Sequence, residues 1–362
     1  MSTESDSYVS GSLQDGRSIH TLVEHPSRSM EMPTRRDSPQ FETCRSSSPD
    51  KAAKADEQKD DDTEGDGPSV SDSSTSKPAK MPPPAANKET EPSANPEGQR
   101  MFIMMRNAEE MDHIFPEWIT RNFENGTYVS KDMNQPVSLP KRQNPLATFG
   151  ADPPLTEMGR RMADLIGRAL HDRGIAISAV FSSPALSCIQ TTQQLIKSQL
   201  YDLKIRVEPA LYEFVGCKYS KLPTFMTLEE MQANQIPVDM SYTPIMPFDQ
   251  MKEYLTESPL TFYERCGQVM DKMVKEKCPF GIVLIVSEAC SFHGLARGLV
   301  GLSTLQTIDA IKRIRMHLPA CTMMTAARNR KGNWEPIQNV VPAITTSDYS
   351  NQFDHHFFRA YY

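Results

Sequence analysis

The chain has 362 residues, with 46 acidic against 39 basic side chains and a formal charge of −7. All of that charge lies in the first hundred residues, which hold 19 acidic and 12 basic groups, while residues 101 to 362 carry 27 of each. A neutral folded part offers no basic field to nucleic acid. No apolar run reaches the roughly 18 residues of a membrane span. Seven cysteines without a Cys-x-x-Cys pair favour neither a disulfide framework nor a zinc site.

Residues 1–100 contain 18 Ser and 11 Pro but only two aromatic residues, Tyr8 and Phe41. Such a stretch cannot bury enough apolar surface to offset roughly 1 to 2 kcal/mol of backbone entropy per residue, so a disordered Ser/Pro/acidic arm is predicted. Ser38-Pro39 and Ser48-Pro49 would suit proline-directed kinases, although such pairs are common by chance, and Asp60-Asp61-Asp62 reads as solvated charge. The start, Met1-Ser2-Thr3-Glu4, has neither the basic residues nor the apolar core of a signal peptide. A soluble cytoplasmic protein is expected, with the nucleus also open to it.

From Met101 the pattern alternates between strand and helix, which predicts an α/β layer fold with a mostly parallel sheet. Strands read at 101–105, 177–181, 204–208 and 281–287. Met162, Leu165, Ile166, Ala169 and Leu170 recur at helical spacing, as do Phe262, Cys266, Val269, Met270 and Met273. Ser183-Pro184 is a helix-start signal, and Thr227-Leu228-Glu229-Glu230 fits a capping box. Residues 120–154, polar and proline-containing, read as an insertion over the carboxyl edge of the sheet. The sulfur-rich run Cys321–Thr325 reads as a buried strand. The aromatic end, with Tyr349, Phe353, Phe357, Phe358, Tyr361 and Tyr362, is expected to pack back on the domain.

Two of the strands run into polar motifs. Phe102-Ile103-Met104-Met105 leads to Arg106-Asn107-Ala108-Glu109-Glu110, and Ile282-Val283-Leu284-Ile285-Val286 leads to Ser287-Glu288-Ala289-Cys290. Between them lie Asp132–Arg142, Asp152-Pro153-Pro154-Leu155-Thr156, Ser182-Ser183-Pro184-Ala185-Leu186-Ser187 and Ile205-Arg206-Val207-Glu208-Pro209 with Glu213. This set resembles the histidine phosphatase superfamily, the phosphoglycerate-mutase-like fold. Within it, residues 101–342 are most similar to the phosphatase domain of the ubiquitin-associated and SH3 domain-containing proteins, the suppressors of T-cell receptor signalling. The resemblance implies a three-layer fold over residues 101–342, with the aromatic segment 343–362 following it. It also implies the family chemistry, in which a neutral imidazole of the first motif attacks phosphorus, arginines and a second histidine hold the equatorial oxygens, and an acid protonates the leaving oxygen.

Against that pattern Asn107 stands at the nucleophile, Glu288 at the second histidine, and Glu110 and Ser187 at two arginine clamps. Arg106 and Glu213 remain. The family pattern sums to +2 over these positions and this chain to −2, and one unit pair at about 6 Å is worth roughly 2.8 kcal/mol at an effective dielectric near 20. The expectation is a phosphatase fold without catalytic residues, a vestigial phosphate pocket formed by Arg106, Asn107, Glu110, Ser187, Glu213 and Glu288, and a binding, scaffold or regulatory role. The alternative is a residual or altered phosphatase acting on phosphotyrosine-like or small phosphate esters. No cofactor and no metal are implied, and the protein partner is unknown. A homodimer is implied by the resemblance alone. Two further chemistries are conceivable at these positions. The three glutamates would suit a hard divalent cation, against the plainer reading of solvated carboxylates. Cys290 near a helix start would suit a substitute nucleophile, against a half-buried thiol. His293, five residues past Glu288, is expected to be rotated away from the motif.

Overall fold

The computed structural model describes residues 100–216, 221–277, 280–344, 346 and 350–359. The arm up to residue 99, with its Ser-Pro pairs and acidic run, lies outside the described residues, as do Cys217, Cys278, Tyr349, Tyr361 and Tyr362. In chain order the elements are β1 (Met101–Arg106), α1 (Met111–Ile114), α2 (Trp118–Asn122), β2 (Phe123–Glu124), β3 (Thr127–Tyr128), α3 (Pro145–Phe149), α4 (Glu157–Asp172), β4 (Ile177–Ser182), α5 (Leu186–Ile196) and β5 (Ile205–Val207). They continue with α6 (Leu228–Ala233), α7 (Pro259–Lys272), β6 (Ile282–Ser287), α8 (Ala289–Val300), α9 (Ile308–His317), β7 (Met323–Arg328), β8 (Trp334–Ile337) and α10 (His355–Arg359).

The main sheet has the order β5-β4-β6-β1-β7-β8. Its first four strands are mutually parallel, and β7 and β8 close it in antiparallel pairs. The strand period of two divides the apolar residues between the faces. Ile103, Met105, Val180, Leu284 and Val286 face one core with α4 and α5. Phe102, Met104, Phe181, Val283 and Ile285 face the other with α7, α8 and α9. β1 and β6, buried along their whole length, read as continuous hydrophobic runs because helices cover both of their faces. This is the three-layer architecture expected from the sequence.

Several expectations need adjusting. The α4 stripe is centred on Ala163, Ile166 and Leu170, while Leu165 points outward and is 41% exposed. The cause is a close approach to α5: a Cβ on Gly167 would sit 2.5 Å from the Leu195 carbonyl oxygen, so the small residues turn inward. The helix signalled by Ser183-Pro184 begins only at Leu186, with no side-chain cap from its N-cap residue. That service comes from Asp152, whose Oδ1 accepts from the Leu186 N–H at 2.7 Å. The α7 stripe and the Thr227–Glu230 capping box are present as read. The strand read in Cys321–Thr325 runs from Met323 to Arg328 and is antiparallel to β1. Residues 120–154 are not wholly irregular, since they hold the β2–β3 hairpin and α3. The stretch immediately after them reaches the carboxyl end of β1 through a bridge between Glu110 and Leu155.

Candidate functional site

β1 and β6 pair in parallel with Arg106 opposite Ser287, so one edge of the sheet receives both polar motifs. The Asn107 N–H donates to the Ser287 carbonyl at 3.0 Å, and the Asn107 carbonyl accepts from the Cys321 N–H at 3.2 Å. Its backbone is therefore fixed from both sides, and the residue is 2% exposed. The Asn107 amide Nδ2 donates to the Ala108 carbonyl at 2.9 Å and to Glu110 Oε1 at 2.7 Å. Ser187, in the first turn of α5, donates its hydroxyl to the same Glu110 oxygen at 2.9 Å. The Thr191 hydroxyl fastens these pieces together, accepting from the Ala108 N–H and donating to the Ser187 carbonyl.

Arg106 ends β1, buried, with Nη1 donating to the Leu318 carbonyl just past α9. Its Nε is buried and has no hydrogen-bond partner among the described residues. Burial draws the guanidinium pKa down, and Glu110 is the foremost of the negative groups that oppose this.

Glu288 occupies the N-cap position of α8. Its Oε1 accepts from the Ser183 hydroxyl at 2.9 Å, and its Oε2 is buried without a hydrogen-bond partner among the described residues. Burial, and after it the charge of Glu213, lift this carboxyl well above the usual carboxylate range and favour the neutral acid. Glu213 accepts from Arg315 Nη2, on α9, at 2.7 Å. The formal count of −2 is thus not the electrostatics of the folded site. Arg106 and Arg315 stand against Glu110 and Glu213, and burial opposes charge on Glu288. Arg315 was not foreseen, because nothing local in sequence links it to a glutamate 102 positions earlier.

The three glutamates do not gather around a cation. Among the described residues no three His, Cys, Asp or Glu side chains group as metal ligands do, and each glutamate has its own donor. Cys290 is fully buried rather than half-buried. Its Sγ lies 3.9 Å from the Ile311 carbonyl, and burial pushes the thiol up to about 12, the opposite of nucleophilic activation. His293 is buried on the other core, its Nδ1 2.9 Å from the Tyr263 hydroxyl, and burial pulls it down to about 3.

The loop between β1 and α1 is held to α4 by further polar groups. Glu109 Oε1 accepts from the Thr156 hydroxyl at 2.6 Å, while the same Thr156 oxygen caps α4 by accepting from the Gly159 N–H. A Cβ on Gly159 would lie 2.5 Å from the Glu109 carbonyl oxygen, so glycine alone lets the helix approach the motif this closely.

The family model of the histidine phosphatase superfamily (branch 1) matches residues 141–333. The chain belongs to this superfamily. Ubiquitin-associated and SH3 domain-containing protein A of Mus musculus is 34% identical over 255 residues, covering 68% of this chain and 40% of that protein. Ecdysteroid-phosphate phosphatase of Bombyx mori is 32% identical over 262 residues, covering 71% of this chain and 38% of that protein. A solved structure of the Bombyx mori ecdysone phosphate phosphatase in complex with tungstate superposes with a TM-score of 0.61 at 28% identity, covering 71% of this chain and 98% of that one. This histidine phosphatase superfamily chain spans well under half the length of the curated relatives it matches first.

Proposed function

We propose that this chain is a catalytically inactive histidine phosphatase, a pseudophosphatase that acts as a binding, scaffold or regulatory protein. Arg106, Asn107, Glu110, Ser187, Glu213 and Glu288 are, on this reading, the remains of a phosphate pocket. The observation that carries it is the state of Asn107. At the end of β1, where the family mechanism needs a lone pair directed at phosphorus, a buried amide nitrogen donates two hydrogen bonds and has no lone pair to give. Glu288, at the matching end of β6, supplies no cationic or imidazole donor for an equatorial oxygen. The nearby thiol of Cys290 is buried, and that burial pushes its pKa up to about 12, which disfavours the thiolate a substitute nucleophile would need.

Phosphate chemistry belongs by name to the ecdysteroid-phosphate phosphatases among the relatives. For this chain the rival reading is residual hydrolysis of phosphotyrosine-like or small phosphate esters, favoured by the retained Arg106 and Glu213. The two readings separate in an assay of the purified full chain with a generic aryl phosphate. The expected turnover is no greater than that of Arg106→Ala, and wild-type turnover clearly above that variant would overturn the proposal. A cytoplasmic or nuclear location belongs to the same proposal; separately, no helix among the described residues is long and apolar enough to cross a membrane.

A further inference from the structure

We infer that the carboxylate of Glu110 is a built-in occupant of the old anion cradle, holding the donors that the cleft would otherwise offer to a small oxyanion. The inference deepens the pseudophosphatase reading and rests on it. Two side chains from separate elements, Asn107 after β1 and Ser187 in α5, aim their donors at one oxygen, Glu110 Oε1, at 2.7 and 2.9 Å. A single anionic oxygen collecting an N–H and an O–H is how proteins hold a phosphoryl or carboxylate ligand. Both donor residues are 2% exposed, and Thr191 and the β6 backbone fix their positions, so the cradle is rigid.

A third group points the same way. Arg106 is buried, its Nε lacks a partner among the described residues, and Glu110 is the leading negative charge acting on it. The cleft therefore retains an amide donor and a hydroxyl donor, and the charge of a buried guanidinium acts on the same carboxylate. What closes it is a carboxylate supplied three residues along the same chain. Being tethered, that carboxylate competes at a high effective concentration against any free anion. Glu110 is itself only part-buried, so its place opens to solvent, and an anion has a route in once the side chain is gone. Of the two remaining carboxylates, Glu213 is paired with Arg315 and Glu288 tends to the neutral form, so neither need repel the newcomer strongly.

The test is a calorimetric titration of the full chain with inorganic phosphate and with tungstate at neutral pH, comparing wild type, Glu110→Ala, Glu110→Gln and Glu110→Ala with Arg106→Ala. The wild type should show no binding at millimolar anion. Glu110→Ala should bind roughly tenfold tighter or more, and adding Arg106→Ala should remove the gain. A folded Glu110→Ala protein as blind to both anions as the wild type overturns the inference. Should circular dichroism show Glu110→Ala unfolded, Glu110→Gln keeps the side-chain volume while discarding the charge; its neutral amide oxygen holds the two donors less tightly, so a smaller gain in affinity is expected, and a folded Glu110→Gln without any gain overturns the inference. A failed gain with an inert wild type sinks this inference alone, whereas wild-type turnover of an aryl phosphate sinks the pseudophosphatase reading.

Discussion

Glu288 shows how one side chain departs from its formal charge. With 7% exposure, one hydroxyl donor and a second oxygen left unpartnered, it is held in a setting that penalises ionisation. Its folded pKa lies well above the value of about 4.5 expected of an unfolded glutamate. For a group raised in this direction the stabilising contribution is fully present below the unfolded pKa and is lost as pH climbs through the folded one. Glu288→Gln removes the titration while keeping the shape. Thermal unfolding midpoints of wild type and variant should therefore lie close together near pH 4.5 and diverge upward, with the variant the more stable at pH 8. Each kcal/mol of difference would appear as roughly 2 to 4 °C in a domain of this size. A gap that is constant with pH would contradict the assignment. The two strand-end motifs were legible in the sequence because continuous apolar runs stop abruptly at polar residues. The pairings that set their electrostatics were not, since Ser187 meets Glu110 across 77 positions and Arg315 meets Glu213 across 102, and only the folded sheet edge brings them together.

Among the elements, α5 depends on a residue from another segment. Asp152 is 2% exposed; its Oδ1 accepts from the first N–H of α5, and its Oδ2 meets Arg142 Nη1 at 3.0 Å, with that arginine side chain only 1% exposed. Burial raises the Asp152 carboxyl to about 6 even against the pull of Arg142. Removing the carboxylate leaves a buried guanidinium uncompensated and uncaps a helix, so Asp152→Ala should cost about 3–5 kcal/mol, read as a lowered urea midpoint at unchanged slope. A loss below about 1 kcal/mol would mean that Arg142 finds other company. Pattern alone located α4, α7 and the capping box of α6, because each declares itself within one or two turns. It misplaced the start of α5 because that cap comes from 34 residues upstream. It also missed β8, whose partly exposed Trp334–Ile337 run gives no clean alternation.

Across the whole molecule the second core is finished by the far end of the chain. Phe358 is 1% exposed, stacks against Phe353 and His293 with centroids 4.8 and 5.5 Å away, and its carbonyl accepts from the buried Arg297 at 2.7 Å. Phe353 and Phe357 pack against the same core beside the buried Phe358. Phe358→Ala should destabilise the fold by about 3–5 kcal/mol, and limited proteolysis should then cleave near residue 355 where the wild type resists. Equal resistance of the two proteins would show that α10 is dispensable to the core.

α9 links this second core to the sheet edge. Its buried Ala310, Ile311 and Ile314 belong to the core, Arg315 on its last turn holds Glu213, and the Leu318 carbonyl beyond it takes the side chain of Arg106. The rim of the cleft is thus tied through α9 to the second core. A guest entering where one side chain has vacated therefore meets a guanidinium already anchored to the helix, and need not carry the ordering of Arg106 itself.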